Sequence, residues 1–131
     1  MTPKRILLVE DDATLRDLCV EVLGSQDHVV VAVDDGAVAL EEIQQRPPDV
    51  ILLDLVMPRA RLDGIALLSL LSAGPRIPII ILSALGDVLS RELSSELTKA
   101  LAITAILGKP FSLEALSREI DRLDWSGVPG G

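Results

Sequence analysis

The feature that most constrains this chain is an alternation of two hydrophobic patterns. Short, continuous apolar runs rich in β-branched residues occur at Arg5-Ile6-Leu7-Leu8-Val9, Val29-Val30-Val31-Ala32-Val33, Asp49-Val50-Ile51-Leu52-Leu53, Ile77-Pro78-Ile79-Ile80-Ile81-Leu82 and Ala105-Ile106-Leu107. Runs without in/out alternation are the mark of strands covered on both faces, as in a parallel sheet. Between them the apolar spacing becomes helical. Leu15, Leu18, Cys19, Val22 and Leu23 form one stripe; Val38, Leu40 and Ile43 form a second, ending at Pro47-Pro48. Ile65, Leu68 and Leu71 form a third, stopped by Gly74-Pro75, and Leu89, Leu93, Leu97 and Leu101 a long fourth. Leu113, Leu116, Ile120 and Leu123 form the fifth, with Ser112 as its N-cap. Strands alternating with helices, joined by right-handed crossovers, predict a three-layer, doubly wound α/β domain. Such folds bind ligands at the carboxyl ends of their strands.

Composition narrows the range of functions. The 131 residues suffice for one domain, and 49% hydrophobic with 24% charged residues is an ordinary globular balance. The net charge of −8 lies in the first part of the chain: residues 1–58 carry 12 acids and 4 bases, whereas residues 59–131 carry 8 of each. A binder of bulk nucleic acid or of an anionic membrane needs the opposite sign, so neither partner is expected. A single cysteine excludes an internal disulfide and makes a reducing compartment the default. With no leader-like segment and no apolar run near the roughly 20 residues of a membrane span, a soluble, cytoplasmic protein is expected. Phe111 and Trp125 are its only aromatic residues, which argues against stacking of bases or flavins. Cys19, on the first helical stripe, reads as a core residue, His28 as a surface residue, and Trp125 as a partly packed cap.

The strand ends carry the chemistry. Strand 1 runs into Glu10-Asp11-Asp12, strand 3 into Asp54, strand 4 into Ser83 and strand 5 into Lys109-Pro110. Two carboxylates about 4 Å apart repel by roughly 4 kcal/mol at an effective dielectric of 20. A cluster of them must take up protons or a cation. All-oxygen donors without neighbouring His or Cys suit Mg²⁺, or Mn²⁺, rather than zinc or copper. An ammonium such as Lys109 can pair with Asp54 or with a phosphoryl oxygen. The Ser83 hydroxyl can donate to another, and Asp54 is the natural nucleophile for an aspartyl phosphate.

At these residues the sequence closely resembles the response-regulator receiver domain of two-component signalling. The matching stretches are Ile6-Leu7-Leu8-Val9-Glu10-Asp11-Asp12 with Leu15-Arg16, Asp49-Val50-Ile51-Leu52-Leu53-Asp54-Leu55-Val56-Met57-Pro58, Asp63-Gly64, Pro78-Ile79-Ile80-Ile81-Leu82-Ser83-Ala84 and Lys109-Pro110-Phe111. The resemblance implies a flavodoxin-like (βα)5 fold, strand order 2-1-3-4-5, over residues 1–124, with 125–131 a flexible tail or linker stub. It implies that Asp54 is the phosphoacceptor. Registered by Arg16, the acidic pair is Glu10 and Asp11: Asp11 would bind Mg²⁺ directly and Glu10 through water. Asp54 and the Val56 backbone carbonyl complete the set, with Asp12 a further candidate. Ser83 and the Ala84 N–H would hold the phosphoryl group, and Lys109, before a cis proline, would pair with it. The implied partners are a histidine kinase or phosphotransfer protein and an unidentified output domain or protein, with a homodimer left open. Phosphorylation would switch the face made by the fourth helix, fifth strand and fifth helix.

Three departures stand out. Ile106 occupies the switch position, where the family usually has Tyr or Phe. The segment Arg59-Ala60-Arg61-Leu62, before Asp63-Gly64, is longer than usual and reads as a solvated loop, with the rim of the acidic pocket or a partner as the alternative for its arginines. The interval from Ser83 to Lys109 is also long. Ile106 motivates an alternative, a phosphorylation-independent docking module. Val56 and Leu85 lie where the family tunes loss of the phosphoryl group, and slow hydrolysis is expected. An enzyme is not expected: phosphohydrolases using an aspartyl phosphate carry a second Asp two residues after the nucleophile, where this chain has Val56. A flavin binder fails for want of a phosphate-cradling loop after strand 1.

Overall fold

A computed structural model describes residues 4–84 and 99–123. Five parallel strands, β1 (Arg5–Val9), β2 (Val29–Val33), β3 (Val50–Asp54), β4 (Pro78–Ser83) and β5 (Ala102–Gly108), form one sheet in the order β2-β1-β3-β4-β5. Helices α1 (Ala13–Ser25), α2 (Gly36–Gln45), α3 (Gly64–Leu71) and a C-terminal helix (Leu113–Asp121) flank it. Strand order reverses beside β1, so the crevice between the ends of β1 and β3 is the switch point where such sheets bind ligands.

The period of 2 along each strand divides the core between the sheet's two faces. Leu7, Val9, Ile51, Leu53, Ile79 and Ile81 pack with Ala39 and Ile43 of α2 and with Leu67, Leu68 and Leu71 of α3. Ile6, Leu8, Val50, Leu52, Ile80 and Leu82 pack with Cys19 and Leu23 of α1 and with Leu116 and Ile120 of the C-terminal helix. The central strands thus bear out the double-faced reading. The outer strands do not: β2 leaves Val29 54% exposed and β5 is only half-buried, because each has a neighbour on one side alone.

Each of these four helices starts at a side-chain cap. Asp12 accepts from Thr14 and Leu15 N–H groups, Asp35 from Ala37, Asp63 from Ala66 and Ser112 from Ala115. The first three helical stripes need correction. Leu18, Val38 and Ile65 are exposed. In α2 the inward positions are Gly36, Ala39, Leu40 and Ile43, and in α3 Gly64, Leu67, Leu68 and Leu71. Both follow i, i+3, i+4, i+7 from a glycine, a residue that a count of hydrophobic side chains overlooks. Those glycines are inward because backbone comes too close for anything larger: a Cβ on Gly64 would lie 2.1 Å from the Asp54 carbonyl oxygen, and one on Gly36 2.5 Å from that of Leu62.

His28 also needs correction. It is buried, and its Nδ1 accepts the Lys4 backbone N–H at 3.1 Å, so it closes the start of the β1–β2 pair. Cys19 is fully buried, as expected, with burial pushing its thiol up to about 11. The predicted fourth helix, apart from its end at 99–101, lies outside the described residues, as do Leu85, Trp125 and the tail at 125–131.

Candidate functional site

The predicted strand-end residues converge. Glu10 follows β1, Asp54 ends β3, Ser83 ends β4 and Lys109 follows β5. Parallel pairing sets their level: Val9 pairs with Leu53, Asp54 with Leu82, and Ser83 with Gly108. A strand with all neighbours parallel ends on the same sheet edge as they do, which brings together residues far apart in sequence.

Carboxylate oxygens of Glu10, Asp11 and Asp54 lie within 4.8 Å of one another. Glu10 and Asp54 are buried and Asp11 is half-buried. The Lys109 ammonium donates to Glu10 Oε1 and, at 3.2 Å, to Asp54 Oδ2. The Val56 N–H donates to Asp54 Oδ1 at 3.1 Å, and the Arg16 guanidinium donates to the Glu10 backbone carbonyl at 3.0 Å. Arg16 thus braces the acid that it helped to identify in the sequence.

The electrostatics show what this pocket lacks. Burial, then a hydrogen bond shared with Asp54, pushes the Glu10 carboxyl up to about 7 against the pull of Lys109. Burial pulls the Lys109 ammonium down, but the Glu10 hydrogen bond and the Asp54 charge outweigh it and hold it above the ordinary lysine range. Glu10 Oε2 is buried with no hydrogen-bond partner. With this orphaned, buried carboxylate oxygen beside two more acids, a hard divalent cation fits the donor set.

Asp12 stands apart from this cluster. It is exposed, and its carboxylate is engaged as the N-cap of α1, which is the work that its position favours. Ser83 is fully buried, and its backbone carbonyl accepts the Lys109 N–H at 2.9 Å, tying the hydroxyl-bearing strand to the lysine. The Lys109-Pro110 peptide is cis. Ala84 follows in an exposed turn, and Val56 is 45% exposed at the mouth. Ile106 packs against the α2–α3 side of the core. It does so because the register between β4 and β5 skips Thr104: Ile79 pairs with Ile103 and Ile80 with Ala105. This bulge puts Ile103 and Ile106 on one face, where uninterrupted alternation would separate them.

Asp35 and the two inward glycines are the residues that sequence reasoning missed. The Asp35 carboxylate accepts from Arg61 and Leu62 N–H groups at 2.7 and 3.2 Å, besides capping α2, and the Gly36 N–H donates to the Leu62 carbonyl at 2.7 Å. The elongated segment after Pro58 is therefore pinned at its backbone, while its Arg59 and Arg61 are exposed to solvent as expected. The available signal was the Asp-Gly pair that opens both α2 and α3.

A doubly wound sheet with an acidic cleft and a lysine at its switch point defines the class of phosphoryl-handling α/β domains. The response regulator receiver domain matches residues 6–121, and the chain belongs to that family. Phosphorylation-based signalling is the family's general role, with binding of Mg²⁺ in an acidic pocket and partners among histidine kinases and output domains. The chain is 35% identical over 119 residues to the probable transcriptional regulator ycf27 of Guillardia theta, covering 91% of this chain and 44% of that protein. It is 38% identical over 117 residues to response regulator MprA of Mycobacterium sp. strain KMS, covering 87% and 47% respectively. It thus spans less than half the length of either relative. The receiver domain of the Francisella response regulator 1452 superposes with a TM-score of 0.77 at 30% identity, covering 90% of this chain and 93% of that one. Among the described residues, no helix is long and apolar enough to cross a membrane.

Proposed function

We propose that this domain accepts a phosphoryl group on Asp54 from the phosphohistidine of a cytoplasmic kinase or phosphotransfer protein, and passes the change to an output domain or partner. The observation that carries this reading is the Asp54 carboxylate itself. It is buried, held by Lys109 on one oxygen and the Val56 N–H on the other, with two further carboxylates within 4.8 Å. Glu10, Asp11 and Asp54, with the Val56 carbonyl, would hold Mg²⁺. The ion would offset charge on the carboxylates and on the transferring phosphoryl oxygens.

In the transfer, an Asp54 oxygen attacks phosphorus as the P–N bond to the donor imidazole breaks, and the imidazole keeps the bonding electrons and takes a proton. Lys109 turns from Asp54 to a phosphoryl oxygen, and the Ser83 hydroxyl and Ala84 N–H donate to others. The product adds roughly −1.5 to −2 of charge at the end of β3. That charge biases Lys109 and Ser83, which are joined through the Lys109 N–H, and with them β5 and the output face. Val56 supplies no acid or base, so phosphate-ester turnover is not expected beyond self-phosphorylation and slow loss of the group.

Mg²⁺-dependent labelling by acetyl phosphate tests the reading. Labelling of the wild type and none of Asp54→Asn is expected; labelling that survives in Asp54→Asn sinks it. Ile106 supports a second reading, docking without a switch, because an aliphatic side chain already packed against the core has no ring to reposition. If beryllofluoride occupies Asp54 yet leaves partner binding and oligomeric state unchanged, that second reading holds.

A further inference from the structure

Arg59 holds neither metal nor phosphoryl group, yet it shares a cavity wall with Asp11. A cavity of about 430 Å³ is lined by Asp11, Asp12, Ala13, Pro58 and Arg59, and Asp11 ties it to the acceptor, its carboxylate lying within 4.8 Å of that of Asp54. A phosphoryl donor reaching Asp54 from that side passes two carboxylates that repel it. Lys109 cannot compensate at the entrance, since Glu10 and Asp54 already engage its ammonium. Arg59 is the cation on the cavity wall, and its backbone is fixed on both sides. The Ala60 N–H donates to the Met57 carbonyl at 3.0 Å, closing a turn with Pro58 and Arg59 at its centre. Met57 is buried beneath that turn, and Asp35 holds the next two N–H groups, those of Arg61 and Leu62. The pinned turn fixes the backbone from which the exposed Arg59 side chain reaches over the cavity.

We propose that Arg59 is a donor-specificity residue: it attracts the anionic phosphoryl oxygens of the incoming donor, offsets Asp11 and Asp12, and favours donors of higher negative charge. This inference rests on Asp54 being the acceptor. An exposed charge contact of this kind is worth roughly a two- to fivefold change in rate.

The test compares second-order rate constants for Mg²⁺-dependent phosphorylation of Asp54 by acetyl phosphate and by phosphoramidate, which carries less negative charge at neutral pH. Wild type, Arg59→Gln, Arg59→Glu and Arg59→Lys are measured at low and high salt. For acetyl phosphate, Arg59→Gln is expected to lose about two- to fivefold and Arg59→Glu about tenfold, while Arg59→Lys keeps most of the rate. The phosphoramidate rate should change much less, and added salt should narrow the differences between variants. Equal losses with both donors would mean that Arg59 merely supports the loop, and unchanged rates would mean that it faces solvent; either result overturns the inference. Absence of Asp54 labelling in the wild type would instead overturn the acceptor assignment itself.

Discussion

Glu10 shows how strongly a single residue's environment sets its chemistry. The residue follows an apolar strand and ends fully buried, and that burial pushes its carboxyl up to about 7. A group whose folded pKa lies above its unfolded value stabilises the fold at low pH, and that contribution is lost as pH rises through the folded pKa. In EDTA, therefore, the Glu10 contribution should be fully present below about 4.5 and lost as pH approaches and passes about 7. Urea unfolding of wild type and Glu10→Gln across that window should show a flatter profile for the variant. Equal slopes would remove Glu10 as the source. Gly64 makes the complementary point. A methyl group there meets the Asp54 carbonyl at 2.1 Å, so Gly64→Ala should destabilise by about 1–3 kcal/mol and slow Asp54 labelling by shifting the end of β3. A melting temperature and a labelling rate both equal to wild type would contradict this.

Among the secondary-structure elements, the α2 N-terminus and the segment after Pro58 behave as one unit. Asp35 caps the helix and holds Arg61 and Leu62, and its bonds to Ala37, Arg61 and Leu62 N–H groups keep its carboxyl below the usual range. Its stabilising effect is thus present above the unfolded carboxylate pKa and lost as pH falls through the folded one. Asp35→Ala should cost about 1–2 kcal/mol in denaturant unfolding and accelerate amide exchange at Arg61 and Leu62. Exchange that stays slow there would show the loop to be held by other contacts. The strands and the Ser112 cap were legible because local backbone preferences and apolar runs act over a few residues. The inward faces of α2 and α3 were not, since what selects Gly36 and Gly64 is backbone from another element. The bulge at Thr104 was hidden for the same reason: Ile106 and its neighbours form an apolar run in either register, and only pairing with β4 decides which face each takes.

Across the whole molecule, Lys109 joins three strands, bonding Glu10 after β1 and Asp54 at the end of β3 from its own place after β5. Removing it leaves buried carboxylates without a countercharge. Lys109→Met should lower stability in EDTA by about 1–3 kcal/mol, with Mg²⁺ recovering part of the loss. Thermal melts of both proteins with and without Mg²⁺ check this, and a variant as stable as wild type in EDTA would show that the pocket neutralises itself by taking up protons. The charge asymmetry of the chain also finds its meaning at this scale. Its first part carries the excess acids, its second part supplies the lysine, and the parallel sheet brings them together. The sequence by itself determined the strands, the Ser112 cap, the doubly wound class and the candidate acids and lysine, because these follow from local periodicity, capping chemistry and motif spacing. Only the tertiary structure decided which acid is buried with an orphaned oxygen, that His28 is buried, and that Asp35 holds the backbone of Arg61 and Leu62. Those outcomes depend on which backbone and charge come within a few ångströms across the fold, and no local pattern encodes such distances.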